Sequence, residues 1–198
     1  MKDFWEERYR ADEFIYGKQP NEYLRIYLDY ANPGRLLLPG DGEGRNAVHA
    51  AKKGWTVDAF DISENARLKA LNLAKEEGVT INYFLQSYED YQPEPATYDV
   101  IALIFTHMSS HIRRPFHEKM VTALKKGGTM LLEAFSENQV LYTSGGPRDL
   151  DMLYNKEDIR QDFKGLSIQA LEQLEIELDE GTYHQGIGEM IRMMGKKM

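Results

Sequence analysis

Residues 36–45 read LLLPGDGEGR, and this stretch decides the fold. Its continuous apolar start is typical of a parallel strand that is buried on both faces. Glycine then occupies every second position, at Gly40, Gly42 and Gly44, where it permits unusual backbone conformations and the close approach of a ligand. The loop leads into a predicted helix, Arg45–Lys53, whose first N–H groups favour an anionic group. The pattern therefore predicts a strand, a ligand-binding loop and a helix in succession.

The spacing of these glycines separates two kinds of ligand. Dinucleotide-binding loops carry G-x-G-x-x-G, and Arg45 stands where their third glycine would be. The spacing therefore favours a nucleoside without a pyrophosphate. Asp61 ends the next predicted strand, 17 residues after Gly44, where a carboxylate can accept hydrogen bonds from both ribose hydroxyls. The other interpretation is that Asp61 only caps the helix that begins near Ser63.

Strand-like and helical segments alternate along the chain, which predicts an α/β fold with a largely parallel sheet covered by helices on both faces. The last two strands read as an antiparallel hairpin at one edge of the sheet. The predicted strands are Arg35–Leu38, Thr56–Asp61, Ile81–Leu85, Tyr98–Phe105, Thr129–Phe135, Ser167–Leu178 and Gly186–Met194. The later predicted helices run from the Ser63 cap to Glu77, over Phe116–Lys126, and from a cap at Asn155.

Composition and charge argue against several classes of protein. The length of 198 residues suits one domain. A net charge of −8 repels phosphate backbones, so we expect no nucleic-acid partner. No run of about 18 apolar residues is present, so we expect no membrane span, and residues 1–10 lack the apolar stretch of a secretion signal. Cysteine is absent, which excludes disulfides and thiolate metal sites and fits a reducing, cytoplasmic location.

Seven segments of the chain together resemble class I S-adenosylmethionine-dependent methyltransferases. In particular they resemble a small-molecule branch that includes tellurite-resistance and thiol or thiopurine methyltransferase-like proteins. The segments are FWEERY (4–9), YGKQPNEYL (16–24), GDGEGRNAVHAAKKGW (40–55), VDAFDIS (57–63), YDVIALIFTHM (98–108), LKKGGTMLLEAF (124–135) and GGP (145–147). The resemblance implies a Rossmann-like three-layer sandwich with a seven-stranded sheet, and S-adenosylmethionine as the cofactor across the carboxyl ends of strands one to four.

The resemblance also implies which residues bind this cofactor. Asp61 holds the ribose, Ile62 lies against the adenine, and Phe105 and Thr106 lie beside the methionine portion. The full set of candidate cofactor-binding residues is Tyr16, Gly17, Gly40, Asp41, Gly42, Gly44, Arg45, Asn46, Asp61, Ile62, Ser87, Tyr88, Phe105 and Thr106. One position departs from the family pattern, because Leu38 stands where many members have an acidic residue. Asp41 or Glu43 is then expected to supply a carboxylate for the cofactor's amino group.

The segment before the first strand is expected to cover the cofactor. We divide a single methyltransferase domain, residues 1–198, into an N-terminal helical lid (1–31) and a Rossmann-like core (32–198). Trp5, Tyr9, Phe14 and Tyr16 form an aromatic group in the lid, and aromatic faces can pack against a cationic sulfonium. The other interpretation is that Trp5 and Tyr9 only pin the first helix to the sheet.

Two residues are candidates for direct roles in the chemistry. His107 ends the fourth predicted strand and is a candidate general base or orienting group; the alternative is that it caps the following helix. Tyr9 is the second candidate catalytic residue. His107 and His111 are four residues apart, but no acidic third ligand has matching spacing, so we expect no metal. His184 either reaches the substrate or stabilises the hairpin, and Arg148 either binds an anionic substrate group or lies at the surface.

The function expected from the sequence is transfer of a methyl group from S-adenosylmethionine to a small-molecule acceptor. The expected acceptor group is a thiol, a chalcogen oxyanion, an amine or a hydroxyl. In-line displacement needs alignment and exclusion of water rather than a covalent intermediate, so a missing nucleophile motif does not argue against an enzyme. The alternatives are a non-catalytic S-adenosylmethionine-binding module and a nicotinamide or flavin oxidoreductase. The sequence carries no signal for an oligomeric state.

Overall fold

A computed structural model describes all residues, 1–198, and contains one seven-stranded sheet between two layers of helices. The strands are β1 (Arg35–Pro39), β2 (Thr56–Asp61), β3 (Asn82–Leu85), β4 (Tyr98–Ile104), β5 (Leu124–Phe135), β6 (Leu166–Asp179) and β7 (Gln185–Lys197). The helices are α1 (Lys2–Arg8), α2 (Glu22–Tyr30), α3 (Arg45–Lys52), α4 (Glu64–Glu76), α5 (Ser110–Ala123) and α6 (Lys156–Asp162), with short 3-10 turns at Glu137–Leu141 and Leu150–Met152. None of the helices has the length and apolar character needed to cross a bilayer.

The strand order is β3-β2-β1-β4-β5-β7-β6. Strand β7 runs in the opposite direction to the other six and is antiparallel to both of its neighbours, β5 and β6. The predicted fold class is therefore confirmed, including the C-terminal hairpin. The order of the chain reverses between β1 and β4, so the loops after these two strands diverge to opposite faces of the sheet. In open α/β sheets such a switch point, at the carboxyl ends of the strands, is where ligands bind.

Each face of the sheet is covered by its own hydrophobic core. Helices α2, α3 and α4 cover one face, where Leu24, Val48 and Leu73 pack on the strands. Helices α5 and α6 cover the other face through Phe116 and Phe163. The predicted helix caps form, because the Ser63 side chain accepts a hydrogen bond from Ala66 and the Asn155 side chain accepts one from Asp158.

Three predicted boundaries near β5 are wrong: the start of helix α5, its end, which is Ala123 rather than Lys126, and the start of β5. Helix α5 begins at Ser110 rather than Phe116 and contains Pro115, a residue that usually marks a helix start. Burial of the first turns of α5 against α6 outweighs this preference, and Arg113 there is fully buried. Strand β5 begins at Leu124, which pairs with Tyr98, before an irregularity shifts the register. The sequence marked the strand only where the apolar run after the glycines resumes.

Candidate active site

A cavity of about 660 Å³ lies at the carboxyl ends of the strands. Its floor is formed by the loops after β1, β2 and β4. The cavity is also lined by helix α1, by Tyr16 and Gly17, and by the turn between β6 and β7. The Tyr16 ring contacts the His184 ring of this turn, with centroids 4.6 Å apart. The loop containing Gly145 and Pro147 borders the end that is farthest from β3. Cavities of this size hold small molecules and cofactors.

The glycine loop after β1 forms part of the cavity wall with its backbone. Gly40 and Gly42 have φ values of 63° and 59°, the left-handed region that favours glycine. Aromatic hydroxyls stand directly over both glycines. A Cβ atom at Gly40 would collide with the Tyr88 hydroxyl, and one at Gly42 would lie 2.7 Å from the Tyr9 hydroxyl. Because only glycine fits here, the loop leaves room for the Tyr88 and Tyr9 hydroxyls beside its backbone.

Asp61 is aimed at this loop from the end of β2. Its Oδ2 accepts a hydrogen bond from the Gly42 N–H at 3.1 Å, and its Oδ1 accepts one from the Ser63 N–H at 3.0 Å. Burial raises the pKa of the Asp61 carboxyl to about 6, although these backbone donors act in the opposite direction. Asp61 therefore caps the start of the helix near Ser63 and also lies beside the glycine loop. Each carboxylate oxygen retains a further lone pair for a ligand that enters the cavity.

Asp41 supplies the unpaired carboxylate of the loop. Its Oδ2 accepts a hydrogen bond from the Ala47 N–H at 3.2 Å, whereas its Oδ1 is buried without a partner. Burial raises the pKa of the Asp41 carboxyl to about 7. Glu43 is already occupied, because Lys69 Nζ lies 2.6 Å from its Oε1. Leu38 is buried in the core, so Asp41 is the residue that fits a cationic amino group.

Helix α1 is fixed to the core by a residue that the sequence analysis did not single out. Glu6 accepts hydrogen bonds from the backbone N–H groups of Glu64 and Asn65, at 2.8 and 3.1 Å, and from the Ser63 hydroxyl. The Glu6 carboxylate of α1 thus accepts hydrogen bonds from N–H groups at the start of α4 that have no partner within their own helix. Trp5 and Tyr9 are then free to face the cavity, where their rings stack with centroids 5.5 Å apart.

His107 lines the cavity, but its two ring nitrogens are both engaged. Nδ1 lies 2.7 Å from the carbonyl oxygen of Met152, and Nε2 accepts a hydrogen bond from the Phe135 N–H at 3.2 Å. Burial lowers the pKa of His107 to about 4, so the ring is neutral. This geometry contradicts the expected role as general base, because no lone pair remains for a substrate proton. Nor does the ring cap the following helix; it ties β5 to the loop before α6.

His184 has the free nitrogen that His107 lacks. It lies in the turn between β6 and β7, is buried, and lines the cavity. Its Nδ1 is 3.4 Å from Glu180 Oε2, and its Nε2 has no protein partner. The ring packs against Phe105 and Tyr16, with centroid distances of 4.5 and 4.6 Å. Burial lowers the pKa of His184, although Glu180 opposes the shift. Nothing in the local sequence marks Glu180 as its partner, because the turn reads as solvent-exposed.

Arg45 and Asn46 connect the start of α3 to both edges of the cavity. Arg45 Nη2 lies 2.8 Å from Glu180 Oε2, and its Nη1 donates to the carbonyl oxygen of Tyr16. Asn46 Oδ1 accepts a hydrogen bond from the Asn21 N–H at 2.9 Å. Both residues line the cavity, so they are placed where the sequence analysis expected them. Their contacts also hold the N-terminal segment against the hairpin turn.

The chain resembles known proteins in sequence and in fold. Residues 37–128, which include the glycine loop, Asp61 and β4, match the family model described as a methyltransferase domain. The N-terminal Xaa-Pro-Lys N-methyltransferase 1 of Ailuropoda melanoleuca is 30% identical over 157 residues, which cover 76% of this chain and 62% of that protein. The chain therefore spans less than two thirds of the length of this relative.

Solved structures share the fold of the whole chain. TehB from Haemophilus influenzae has a TM-score of 0.75 at 16% identity, covering 100% of this chain and 67% of that one. Magnesium protoporphyrin IX methyltransferase from Synechocystis PCC 6803, solved with bound SAH (S-adenosylhomocysteine), has a TM-score of 0.70 at 15% identity and covers 100% and 97%. These likenesses confirm the Rossmann-like fold.

The other candidate residues divide into two groups, according to whether they line the cavity. Tyr16, Gly17, Ile62, Tyr88 and Phe105 line the cavity. Phe105 has a φ of 53°, a strained conformation for a bulky residue and one that is common at functional sites. Nothing in the local sequence marks this conformation.

Three candidates lie outside the lining of the cavity. Gly44 starts α3, and a Cβ there would meet Ala70 of α4, so this glycine serves helix packing. The Ser87 hydroxyl pairs with Asp90 at 2.7 Å. Thr106 is buried behind the cavity, where its carbonyl oxygen accepts a hydrogen bond from a tyrosine hydroxyl. The structure therefore does not place these three beside a ligand.

Proposed function

We propose that the protein transfers a methyl group from S-adenosylmethionine to a small-molecule acceptor. The observation that carries this proposal is the continuity of one cavity. It runs from the glycine loop and Asp61 to His184 and the Gly145–Pro147 loop, so a cofactor and an acceptor can share it. Its volume of about 660 Å³ suits two small molecules side by side and leaves no room for a folded macromolecule.

The residues around the glycine loop fit the cofactor. Bound S-adenosylmethionine supplies a methyl group that is already activated on a sulfonium. Asp61 accepts hydrogen bonds from the ribose, the orphaned Oδ1 of Asp41 accepts from the amino group, and the backbone of Gly40 and Gly42 permits close contact. Tyr9 closes the site from α1. The missing acid at Leu38 is thus replaced by a carboxylate three residues later.

The acceptor is proposed to occupy the end of the cavity near His184. Neutral His184 accepts a proton at Nε2 from an acceptor thiol, hydroxyl or ammonium, and Glu180 orients the ring through Nδ1. Phe105 and Phe135 pack around the imidazole and exclude water from this point. Arg148 takes no part, because it is exposed and donates to a carbonyl oxygen of its own loop.

A protein N-terminus is a second candidate acceptor, because the mammalian relative is named as an N-terminal Xaa-Pro-Lys N-methyltransferase. A peptide would have to enter past α1 and the β6–β7 turn, where Phe4 and Tyr183 flank the cavity. We favour the small-molecule acceptor for this reason. The net charge of −8 disfavours a nucleic-acid acceptor.

Calorimetric titration with SAH and with NAD tests the first half of the proposal. We expect SAH to bind and NAD not to bind; the reverse would overturn it in favour of an oxidoreductase. Transfer of labelled methyl to a panel of thiols, amines, hydroxyl compounds and chalcogen oxyanions, compared with an Xaa-Pro-Lys peptide, tests the second half. Binding of SAH without transfer to any acceptor would show a non-catalytic module. Transfer to the peptide alone would show a protein methyltransferase.

The residues assigned to acceptor deprotonation are tested with a matched pair of variants. His184→Asn is expected to lose transfer at every pH while SAH affinity stays within about twofold. The matched control is His111→Asn, because His111 is exposed on α5 and lies outside the cavity. Unchanged transfer by His184→Asn would remove this residue from the mechanism without affecting the assignment of the cofactor.

A further inference from the structure

Arg8 is a cation at the acceptor end of the cavity. It lies in the last turn of α1 and lines the cavity. Its guanidinium carbon is 3.8 Å from the centroid of the Tyr183 ring and 4.8 Å from that of Phe4, so the planar group is held between two aromatic side chains. Its Nη1 donates a hydrogen bond to the Tyr16 hydroxyl at 3.2 Å. These contacts fix the guanidinium in place.

The other strong charges near this end already have partners. Arg45 is paired with Glu180, and Glu43 is paired with Lys69. Arg8 forms no ion pair, and the Tyr16 hydroxyl is its only hydrogen-bond partner in the protein. A guanidinium has five N–H donors arranged as a fork that matches a carboxylate or a similar oxyanion. The acceptor end therefore presents one oriented and uncompensated positive charge beside apolar walls.

We infer that the methyl acceptor is a small apolar or aromatic molecule with a carboxylate or similar oxyanion, which Arg8 binds. The inference rests on the proposed function, because it assumes that this end of the cavity holds the acceptor. It extends that function by giving the charge of the substrate. It also separates this chain from an enzyme acting on Xaa-Pro-Lys termini, because the ammonium groups of such a peptide would be repelled by Arg8.

The test measures binding to the SAH complex rather than turnover. Benzoate, benzamide and benzamidine have nearly the same shape and carry a negative charge, no charge and a positive charge. Calorimetry with these three, and with phenylacetate and 2-naphthoate beside their amides, reports the charge preference. We expect at least one acid to bind roughly tenfold more tightly than its amide, since hydrogen bonds to charged groups are about twice as strong as neutral ones. Benzamidine is expected to bind worst.

Variants of Arg8 assign the preference to this residue. Arg8→Gln is expected to abolish the preference for acids, and Arg8→Lys to retain only part of it because an ammonium lacks the planar fork. Arg10→Gln is the matched control, since Arg10 is exposed and paired with Glu7 outside the cavity. The thermal midpoint and SAH affinity of each variant are measured first to confirm that it folds.

Two outcomes overturn the inference: no acid is preferred over its amide, or the preference survives in Arg8→Gln. Both leave the cofactor assignment standing if SAH binds. Failure of SAH to bind the wild-type protein is a different result, because it overturns the proposed function itself.

Discussion

The Gly42 N–H and the Asp61 carboxylate are joined by a 3.1 Å hydrogen bond, although they belong to loops that follow different strands. The bond requires β1 and β2 to be adjacent and parallel, as their register from Arg35 opposite Thr56 shows. It fixes the carboxylate beside the glycine loop before any ligand is present. A preorganised acceptor of this kind costs little to align when a ribose binds.

Replacing Asp61 by asparagine tests the ribose assignment. The amide oxygen can still accept from Gly42, but it has no charge and cannot accept two ribose hydroxyls equally well. We expect SAH affinity to fall by roughly 10- to 100-fold, the effect of losing charge-assisted hydrogen bonds. Calorimetry gives the affinity, with Asp90→Asn as the control, because Asp90 is exposed and pairs with Ser87. Equal affinities in the two variants would contradict the assignment.

Alanine variants at two glycines with similar backbone angles distinguish the effect of backbone strain from the effect of filling space at the candidate site. Gly40 and Gly78 have φ values of 63° and 68°, so alanine strains both, at about 1 kcal/mol each. Only at Gly40 does the new Cβ meet another group, the Tyr88 hydroxyl; at Gly78 the space is open. We expect Gly40→Ala to lose SAH binding, and Gly78→Ala to bind normally with a modestly lower thermal midpoint. Similar SAH affinities would show that the loop does not form the site.

The buried carboxyl of Asp41 makes stability depend on pH. Burial raises its folded-state pKa from the ordinary 3.8 to about 7, so between these pH values the folded state holds a proton that the unfolded state has lost. This group therefore lowers stability as pH rises from about 4 to 7. Asp41→Asn is expected to raise the thermal midpoint of the ligand-free protein by at least about 2 °C at pH 8, and to have little effect on it near pH 4.

The same variant is expected to bind SAH more weakly than the wild-type protein, because it lacks the carboxylate for the amino group. Wild-type affinity should also fall as pH drops below about 7, where Asp41 takes up its proton. Calorimetry at several pH values measures both effects. A variant that gains no stability, or an affinity that does not vary with pH, would refute this account of Asp41.

His107 is expected to contribute to stability rather than to chemistry. Alanine would leave the buried carbonyl of Met152 and N–H of Phe135 without partners, at a cost of about 1–3 kcal/mol each. Urea denaturation measures the loss, with exposed His111→Ala as the control. Burial lowers the pKa of His107 from the ordinary 6.5 to about 4, so this residue lowers stability as pH falls from 6.5 to 4. The variant should lose this part of the acid sensitivity.

Tryptophan fluorescence tests whether the N-terminal lid covers the bound cofactor. Trp5 lines the cavity, whereas Trp55 is buried in the core, so a change in fluorescence on addition of SAH should come from Trp5 alone. We expect Trp5→Phe to remove the signal. Deleting residues 1–20 is expected to weaken SAH binding at least tenfold, because it removes Tyr9 and Tyr16 from the site. Unchanged affinity after the deletion would contradict the lid.

The local sequence was sufficient to predict the fold and the part of the candidate site that contains the glycine loop and Asp61. Alternating apolar runs and helical segments fixed the strands, and glycines at every second position fixed the loop, because these features depend on backbone conformation and on burial over a few residues. Asp61 follows from the same logic, since the ends of neighbouring parallel strands meet. The boundaries around Pro115 did not follow, because packing between α5 and α6 outweighs a local preference.

Tertiary structure alone decided the rest. The sequence favours His107 as the base, and only the packing of β4, β5 and the hairpin turn shows that His184 is the ring that keeps a free nitrogen. Asp41 and Glu43 are equally plausible replacements for the acid missing at Leu38, until Lys69 is seen to occupy Glu43. Whether each polar group has a hydrogen-bond partner depends on residues that are distant in sequence. Such pairing cannot be predicted from the neighbouring residues.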